Sequence, residues 1–261
     1  MRKVRNFAVA CTAVVGLVGM TAGQAMAANV YTADGSGPTG GTPSKPKAAT
    51  MKAEFTIKSD GGDLIPDVVK EYTITIEGGR LDKRVLAKLP KCKMSPLTSP
   101  VQSADQCKST SVVGKGQLSA AIGTPGNPID RNGFTCTLPY NLYNLGDGNL
   151  GLFISATTQQ CPVAVKQWIK VNVKHNAAKR TVSTSFVVPE KLQQPAPGLF
   201  SPVMSASFQL SPKYANIKVN GKTKKMSTTQ AIGCTDKKRD VSIKFVTPEG
   251  VSSTVTKTLP C

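Results

Sequence analysis

The residues best suited to binding a ligand lie in the run KQWIKVNVKH, residues 166–175. On a strand, successive side chains point to opposite faces, so three aliphatic residues would share one face and the tryptophan would share the other with lysines. An exposed aromatic ring can stack on a sugar ring or a base while neighbouring ammonium groups meet anions. The predicted ligand face consists of Lys166, Trp168, Lys170 and Lys174.

A covered tryptophan is the alternative for this run. A loop or a second sheet would then pack over Trp168, and the lysines would protect an edge strand from pairing with another chain. The sequence leaves both arrangements open.

The run CKSTSVVGKGQLSA, residues 107–120, places a lysine between two glycines and invites comparison with a phosphate-binding loop. Such a loop requires GxxxxGK followed by Ser or Thr, whereas Gln117 follows Gly116 here. A dinucleotide fingerprint would need glycine at the position of Ser119. Apolar and polar residues alternate from Val112 onward, so the sequence predicts a strand whose glycines leave space for a neighbouring side chain.

Catalytic residues are sparse in this chain. No GxSxG motif occurs, and His175, the single histidine, is expected in a solvated turn. The acidic residues could supply a glycosidase pair, but they lie mostly in turns or on outward strand positions. The sequence therefore predicts a non-enzymatic protein without a cofactor or metal, and a hydrolase that uses an acidic pair is the less favoured alternative.

The first 27 residues have the organisation of a signal peptide. Arg2, Lys3 and Arg5 precede an apolar run, and Ala25-Met26-Ala27 provides the small-x-small cleavage pattern. The apolar run is shorter than the roughly 20 residues that a membrane span needs. We expect cleavage after Ala27, secretion with or without attachment to the cell surface, and no transmembrane span in the mature chain.

Charge narrows the expected partners. The whole chain carries a formal net charge of +18, and removing the three basic residues of the signal peptide leaves 18 − 3 = +15. A strong positive charge attracts anionic polymers through a salt-dependent field. No base-reading module is present, so specific nucleic-acid binding is not expected. A second basic cluster comprises Lys213, Lys218, Lys222, Lys224, Lys225, Lys237, Lys238, Arg239 and Lys244.

Six of the seven cysteines follow the signal peptide. An even number in an exported chain indicates disulfides, and six cysteines allow about 15 pairings. The sequential pairing is favoured because each bond would close a short local loop. The predicted bonds are Cys92–Cys107, Cys136–Cys161 and Cys234–Cys261.

Hydrophobic residues alternate with a period of two in runs beginning near Met51, Tyr72, Val182, Met204 and Val241. This pattern is typical of antiparallel strands with one buried face. The sequence predicts an all-β, disulfide-stapled antiparallel β-sandwich of about 10–12 short strands. Residues 28–50 are expected to form a Gly/Pro/Lys-rich tether, and residues 51–261 the sandwich, with a sub-boundary near 189–202 if there are two units.

A local resemblance supports part of this interpretation. Leu89-Pro90-Lys91-Cys92 is followed fifteen residues later by Cys107 and by the strand segment Ser111–Gly116. This LPxC…C-x(3)-S-x-[IV]-G-x-G pattern resembles one found in uncharacterised secreted bacterial all-β proteins. The resemblance implies pairing of Cys92 with Cys107 and a strand over residues 111–122, and it carries no activity.

Together these observations predict a secreted non-enzymatic protein that binds anionic cell-envelope polymers or polysaccharide through a basic face. A structural or adhesive surface protein with a protein partner is the alternative. The oligomeric state does not follow from the sequence.

Overall fold

The computed structural model describes residues 29–37, 40–95, 102–130 and 135–261. The predicted signal peptide, residues 1–27, lies outside these ranges. The strands are β1 (Asn29–Ser36), β2 (Lys47–Ala48), β3 (Met51–Ser59), β4 (Glu71–Glu77), β5 (Gly79–Leu81), β6 (Val112–Ala121), β7 (Thr135–Gly146), β8 (Asn149–Ala156), β9 (Val165–Asn176), β10 (Thr181–Val187), β11 (Val203–Leu210), β12 (Tyr214–Val219), β13 (Lys222–Ser227), β14 (Thr229–Ala231), β15 (Lys238–Val246) and β16 (Ser252–Pro260). The α-helices are α1 (Lys83–Lys88) and α2 (Glu190–Gln193), and Ser109–Ser111 form a short 3-10 helix.

One antiparallel sheet of eleven strands dominates the structure, in the order β1-β3-β11-β6-β7-β8-β9-β10-β4-β15-β16. The sheet curls until β1 at one edge contacts β15 and β16 at the other. The all-β antiparallel prediction is confirmed. The two facing layers expected of a sandwich are here opposite walls of one continuous sheet, because the right-handed twist of adjacent strands accumulates around it.

The core lies inside this curled sheet and is formed by side chains that alternate with more exposed ones along strands such as β3. Along β3, Met51, Ala53, Phe55 and Ile57 are buried, whereas the intervening lysines and glutamate are exposed. Phe55 stacks on Tyr72 of β4 with 5.3 Å between ring centroids. Burying apolar area in this way contributes about 25 cal/mol per Å² removed from water.

The prediction that residues 28–50 form a tether is wrong where β1 and β2 occur. Residues Asn29–Ser36 pair with β3 along their whole length, and Lys47–Ala48 pair with β14. Tyr31 faces the interior and stacks on Phe245 with 4.3 Å between ring centroids. The prediction gave weight to glycine and proline content and overlooked a short alternation of Tyr31, Ala33 and Gly35, which is sufficient to fix an edge strand.

The glycine-flanked lysine lies in β6, as the sequence predicts. A β-carbon at Gly116 would collide with the Ser207 carbonyl and the Tyr140 ring. The Tyr140 hydroxyl donates a hydrogen bond to that carbonyl at 2.6 Å. The missing side chain at Gly116 therefore makes room for a buried tyrosine, and this segment holds no phosphate loop.

The three predicted disulfides, Cys92–Cys107, Cys136–Cys161 and Cys234–Cys261, are all present. Residues 189–202 form a connection that includes α2, and β11, which follows it, lies between β3 and β6. Strands from both sides of this connection therefore belong to the same sheet. Within the described ranges, no helix has both the length and the apolar character needed to cross a bilayer.

Candidate anion-binding cleft

The three lysines of the predicted ligand face lie on the outside of β9. Lys166, Lys170 and Lys174 are exposed. Trp168, by contrast, is 0% exposed and belongs to a small apolar cluster with Cys92, Tyr143 and Phe153. The predicted stacking of a sugar on Trp168 is therefore wrong.

The described residues of the loop closed by the Cys92–Cys107 disulfide cover this tryptophan. The indole N–H of Trp168 donates to the Ser103 carbonyl at 2.9 Å, and the Trp168 backbone N–H donates to the Gln102 side chain at 2.6 Å. The ring packs against Phe153 at 4.9 Å between centroids. A buried indole ordinarily finds such a partner, so this arrangement is a packing device, and the loop-covered alternative is correct.

A different region combines cations with an exposed aromatic ring. Its scaffold is the hairpin of β12 and β13, which pairs Tyr214 with Ser227 and Val219 with Lys222. Asn220 and Gly221 join the strands with φ of 50° and 75°, the positive values that a type I′ turn requires. The hairpin packs on α1 through the buried Ile217, which leaves its lysines outside.

The hairpin forms one wall of a cleft of about 460 Å³. The other walls come from residues 43–46 and Ala48, from Arg80 in β5, from the first turn of α1 and from Gln230 in β14. No aspartate or glutamate lines this cleft within the described part of the chain. Its five cationic side chains are Lys45, Arg80, Arg84, Lys224 and Lys225.

Gln230 holds the guanidinium of Arg80 in place. Both the Nε and an Nη group of Arg80 donate to the Gln230 Oε1, the former at 2.9 Å. The Gln230 amide in turn donates to the Ser227 carbonyl at 2.9 Å. Burial lowers the pKa of Arg80, but a guanidinium remains protonated in proteins. The cleft thus contains one cation whose orientation is fixed before any ligand arrives.

Asp82 offsets one of the five charges. Its carboxylate accepts the Arg84 backbone N–H at 3.0 Å as the N-cap of α1, and it accepts the Arg84 guanidinium at 2.8 Å. Burial by itself would raise the pKa of Asp82, but the hydrogen bonds and charge of Arg84 outweigh it and lower that pKa. Asp82 is therefore ionised at neutral pH, and it partly neutralises Arg84.

Tyr214 supplies the exposed ring that was predicted at Trp168. It is 48% exposed, and the Lys225 ammonium lies 5.3 Å from its ring centroid, within the range of a cation–π contact. The sequence analysis identified the hairpin lysines but missed Tyr214, Lys45, Arg80 and Arg84. In β12 the exposed residues Tyr214, Asn216 and Lys218 alternate with more buried ones before an Asn-Gly turn. This alternation in the sequence could have indicated an exposed ring at Tyr214.

Other basic residues of the predicted cluster have different roles. Arg239 is 1% exposed, and its Nε donates to the Glu77 carbonyl at 3.0 Å, so it stabilises the fold from within and does not extend the basic surface. His175 is exposed near the end of β9, and its pKa is lowered by partial desolvation and by the charge of Arg80.

No known protein family, curated protein or solved structure matches this chain. The chemistry of the cleft is therefore the basis for assigning its role.

Proposed function

We propose that this chain is a secreted, non-enzymatic protein that binds an anionic polysaccharide of the cell envelope or its surroundings, with the cleft as its contact site. A single observation carries this proposal. Three separate segments converge to place five cations around an exposed tyrosine, with no acidic residue among the described lining residues. An arrangement assembled from distant parts of the chain is more specific than a run of lysines on one strand.

The cleft chemistry favours a sugar polymer that carries carboxylate or phosphate groups. A fixed guanidinium such as Arg80 can recognise a planar anion through paired hydrogen bonds, while Lys224 and Lys225 act as mobile point charges. The Tyr214 ring can stack on the apolar face of a sugar. The exposed lysines of β9 would add long-range attraction without an aromatic platform.

The decisive experiment compares two charge-matched variants of the full mature protein. Lys224→Gln with Lys225→Gln removes two charges from the cleft, and Lys170→Gln with Lys174→Gln removes two charges from β9. Binding to a polyuronate and to a neutral glucan is measured by calorimetry across a salt series. We expect the cleft variant to bind the polyuronate about tenfold more weakly, which is about 1.4 kcal/mol for two lost charge-assisted contacts.

The control variant should bind within about twofold of the native protein because its cleft is intact, and its net charge equals that of the cleft variant. Equal losses in both variants would show that attraction depends only on total charge. Binding that persists at high salt would instead favour the adhesive alternative, in which the partner is a protein.

The hydrolase alternative has one structural observation behind it. Burial first, and then the nearby charge of Glu249, raises the pKa of Asp67. A carboxyl group with such a pKa is a candidate general acid. The Asp67 backbone, however, exchanges hydrogen bonds with the Asn29 side chain at 2.8 and 3.0 Å, which anchors the start of β1. We therefore assign this segment a structural role.

A further inference from the structure

The curled sheet encloses a second feature, an apolar cavity of about 230 Å³ whose lining includes neither Trp168 nor the described residues of its covering loop. Its walls include Leu118, Leu138, Ile154, Phe186 and Ala206. Protein interiors are close-packed and contain few voids larger than a water molecule, so a cavity of this size is unusual for a region that serves only as core. Apolar cavities of smaller size stay dry and accept small hydrocarbons.

The cavity opens between the start of β9 and the connection that contains α2. Val163, which is 46% exposed, contributes to the lining beside this connection. Lys166 and Lys191 are the charged members of the lining among the described residues, and both are exposed. The cavity therefore has an uncharged interior and two cations at its entrance.

Size and charge together define the occupant. A dry apolar cavity of about 150 Å³ accepts benzene, so 230 Å³ would by proportion hold about nine carbon atoms. A purely apolar molecule of that size would leave the two ammonium groups without a partner from the ligand. A molecule with an apolar tail and an anionic head would fill the interior and meet both lysines.

We infer that this cavity binds the tail of a medium-chain anionic amphiphile, whose carboxylate or similar head group lies between Lys166 and Lys191. This site is separate from the polysaccharide cleft in its residues and in its ligand. Lys166 thus has a role different from that of Lys170 and Lys174, with which the sequence pattern grouped it.

The test uses three straight-chain probes, with alkyl chains of nine or ten carbons and different head groups: decanoate, decanol and decyltrimethylammonium. Affinity for the full mature protein is measured by calorimetry below the concentration at which each probe forms micelles. We expect decanoate to bind at least fivefold more tightly than decanol, and the cationic probe to bind most weakly. Equal affinity for all three probes, or no binding of decanoate, would overturn the proposal.

Two pairs of variants locate the ligand. Ala206→Leu fills part of the cavity and should weaken the binding of decanoate and of decanol by tenfold or more. Ala215→Leu on the hairpin should change neither affinity. Lys166→Gln with Lys191→Gln should remove the preference for decanoate over decanol, whereas Lys170→Gln with Lys174→Gln should retain it. If Lys166→Gln with Lys191→Gln still prefers decanoate to decanol, the head group does not lie between these two lysines.

A structural readout keeps the proposal testable if Ala206→Leu fails to fold. Crystals of the native protein with 10-bromodecanoate should show the anomalous bromine signal inside the sheet, near Leu118 and Leu138. A bromine peak confined to the outer surface would exclude the cavity as the binding site.

Discussion

Two regions of this protein place an aromatic ring among lysines, and they differ in what lies over the ring. On β9, Trp168 is fully buried under a disulfide-stapled loop, although the lysines around it are exposed. On the β12–β13 hairpin, Tyr214 is 48% exposed with Lys225 beside it. The comparison teaches that alternation on one strand identifies which side chains share a face, but a separate segment decides whether that face meets water.

The difference follows from the position of each strand. β9 lies within the eleven-stranded sheet, so its outer face is broad enough for the loop closed by Cys92 and Cys107 to pack on it. The hairpin is a separate two-stranded sheet whose inner side already rests on α1. Its outer side has no described segment packed over Tyr214.

The largest expected effect is on stability at Trp168. Trp168→Ala should lower the free energy of unfolding by about 3–5 kcal/mol, because it removes a buried indole and leaves a cavity under the loop. Chemical denaturation measures this change. Tyr214→Ala is the matched control and should cost less than about 1 kcal/mol, since an exposed side chain loses little packing. Similar losses at both positions would contradict the assigned difference between the two rings.

The next effect concerns the disulfide that fastens the covering loop. Cys92→Ser with Cys107→Ser should cost about 2–4 kcal/mol and shift Trp168 fluorescence toward the red, because the loop no longer holds water away from the indole. Cys234→Ser with Cys261→Ser is the control. It should also destabilise the protein, but it should leave the emission of the folded state unchanged, since that bond lies away from Trp168. An unchanged emission in the first variant would show that the loop stays in place without its bond.

A smaller effect is expected on ligand binding at Tyr214. Tyr214→Ala should weaken binding to the anionic polysaccharide by about fivefold, or about 1 kcal/mol, because the stacking platform is lost. Tyr214→Phe should bind within about twofold of the native protein, because the ring is retained. Calorimetry at fixed salt separates the two variants. A loss in the phenylalanine variant as large as in the alanine variant would assign the contact to the hydroxyl instead of the ring.

The smallest effect is a pH-dependent one at Asp82. The folded-state pKa of this carboxyl is lowered, so its ionised form stabilises the protein above the unfolded pKa of about 4, and that stabilisation is lost as the pH falls through the folded value. Asp82→Asn keeps an N-cap acceptor and removes the ion pair with Arg84. This substitution should lower the free energy of unfolding by about 0.5–1 kcal/mol at pH 7.

Denaturation across a pH series provides the check on Asp82. The difference in the free energy of unfolding between Asp82→Asn and the native protein should become smaller as the pH falls below about 4. The same variant adds one uncompensated positive charge to the cleft and should strengthen binding to the polyuronate at pH 7. Unchanged binding would place the anion away from Arg84.

The fold class was accessible from the sequence because strand alternation is local. The buried and exposed residues of β3 follow directly from the order of its side chains, and the Asn220-Gly221 turn fixes the register of the hairpin. The first strand was missed because glycine and proline around Tyr31 masked a weak alternation. The cleft was predicted only in part, since Lys45 and Arg80 lie far along the chain from the hairpin lysines.

The sequence by itself determined the excess of positive charge, and it predicted the antiparallel strands and the three disulfide pairs that the structure contains. Each depends on residue type and on spacing along the chain. The tertiary structure alone decided that Trp168 is covered, that Tyr214 is exposed beside converging cations and that the curled sheet encloses an apolar cavity. These features depend on which distant segments pack together, and that outcome is set by the packing of the whole sheet rather than by any local pattern.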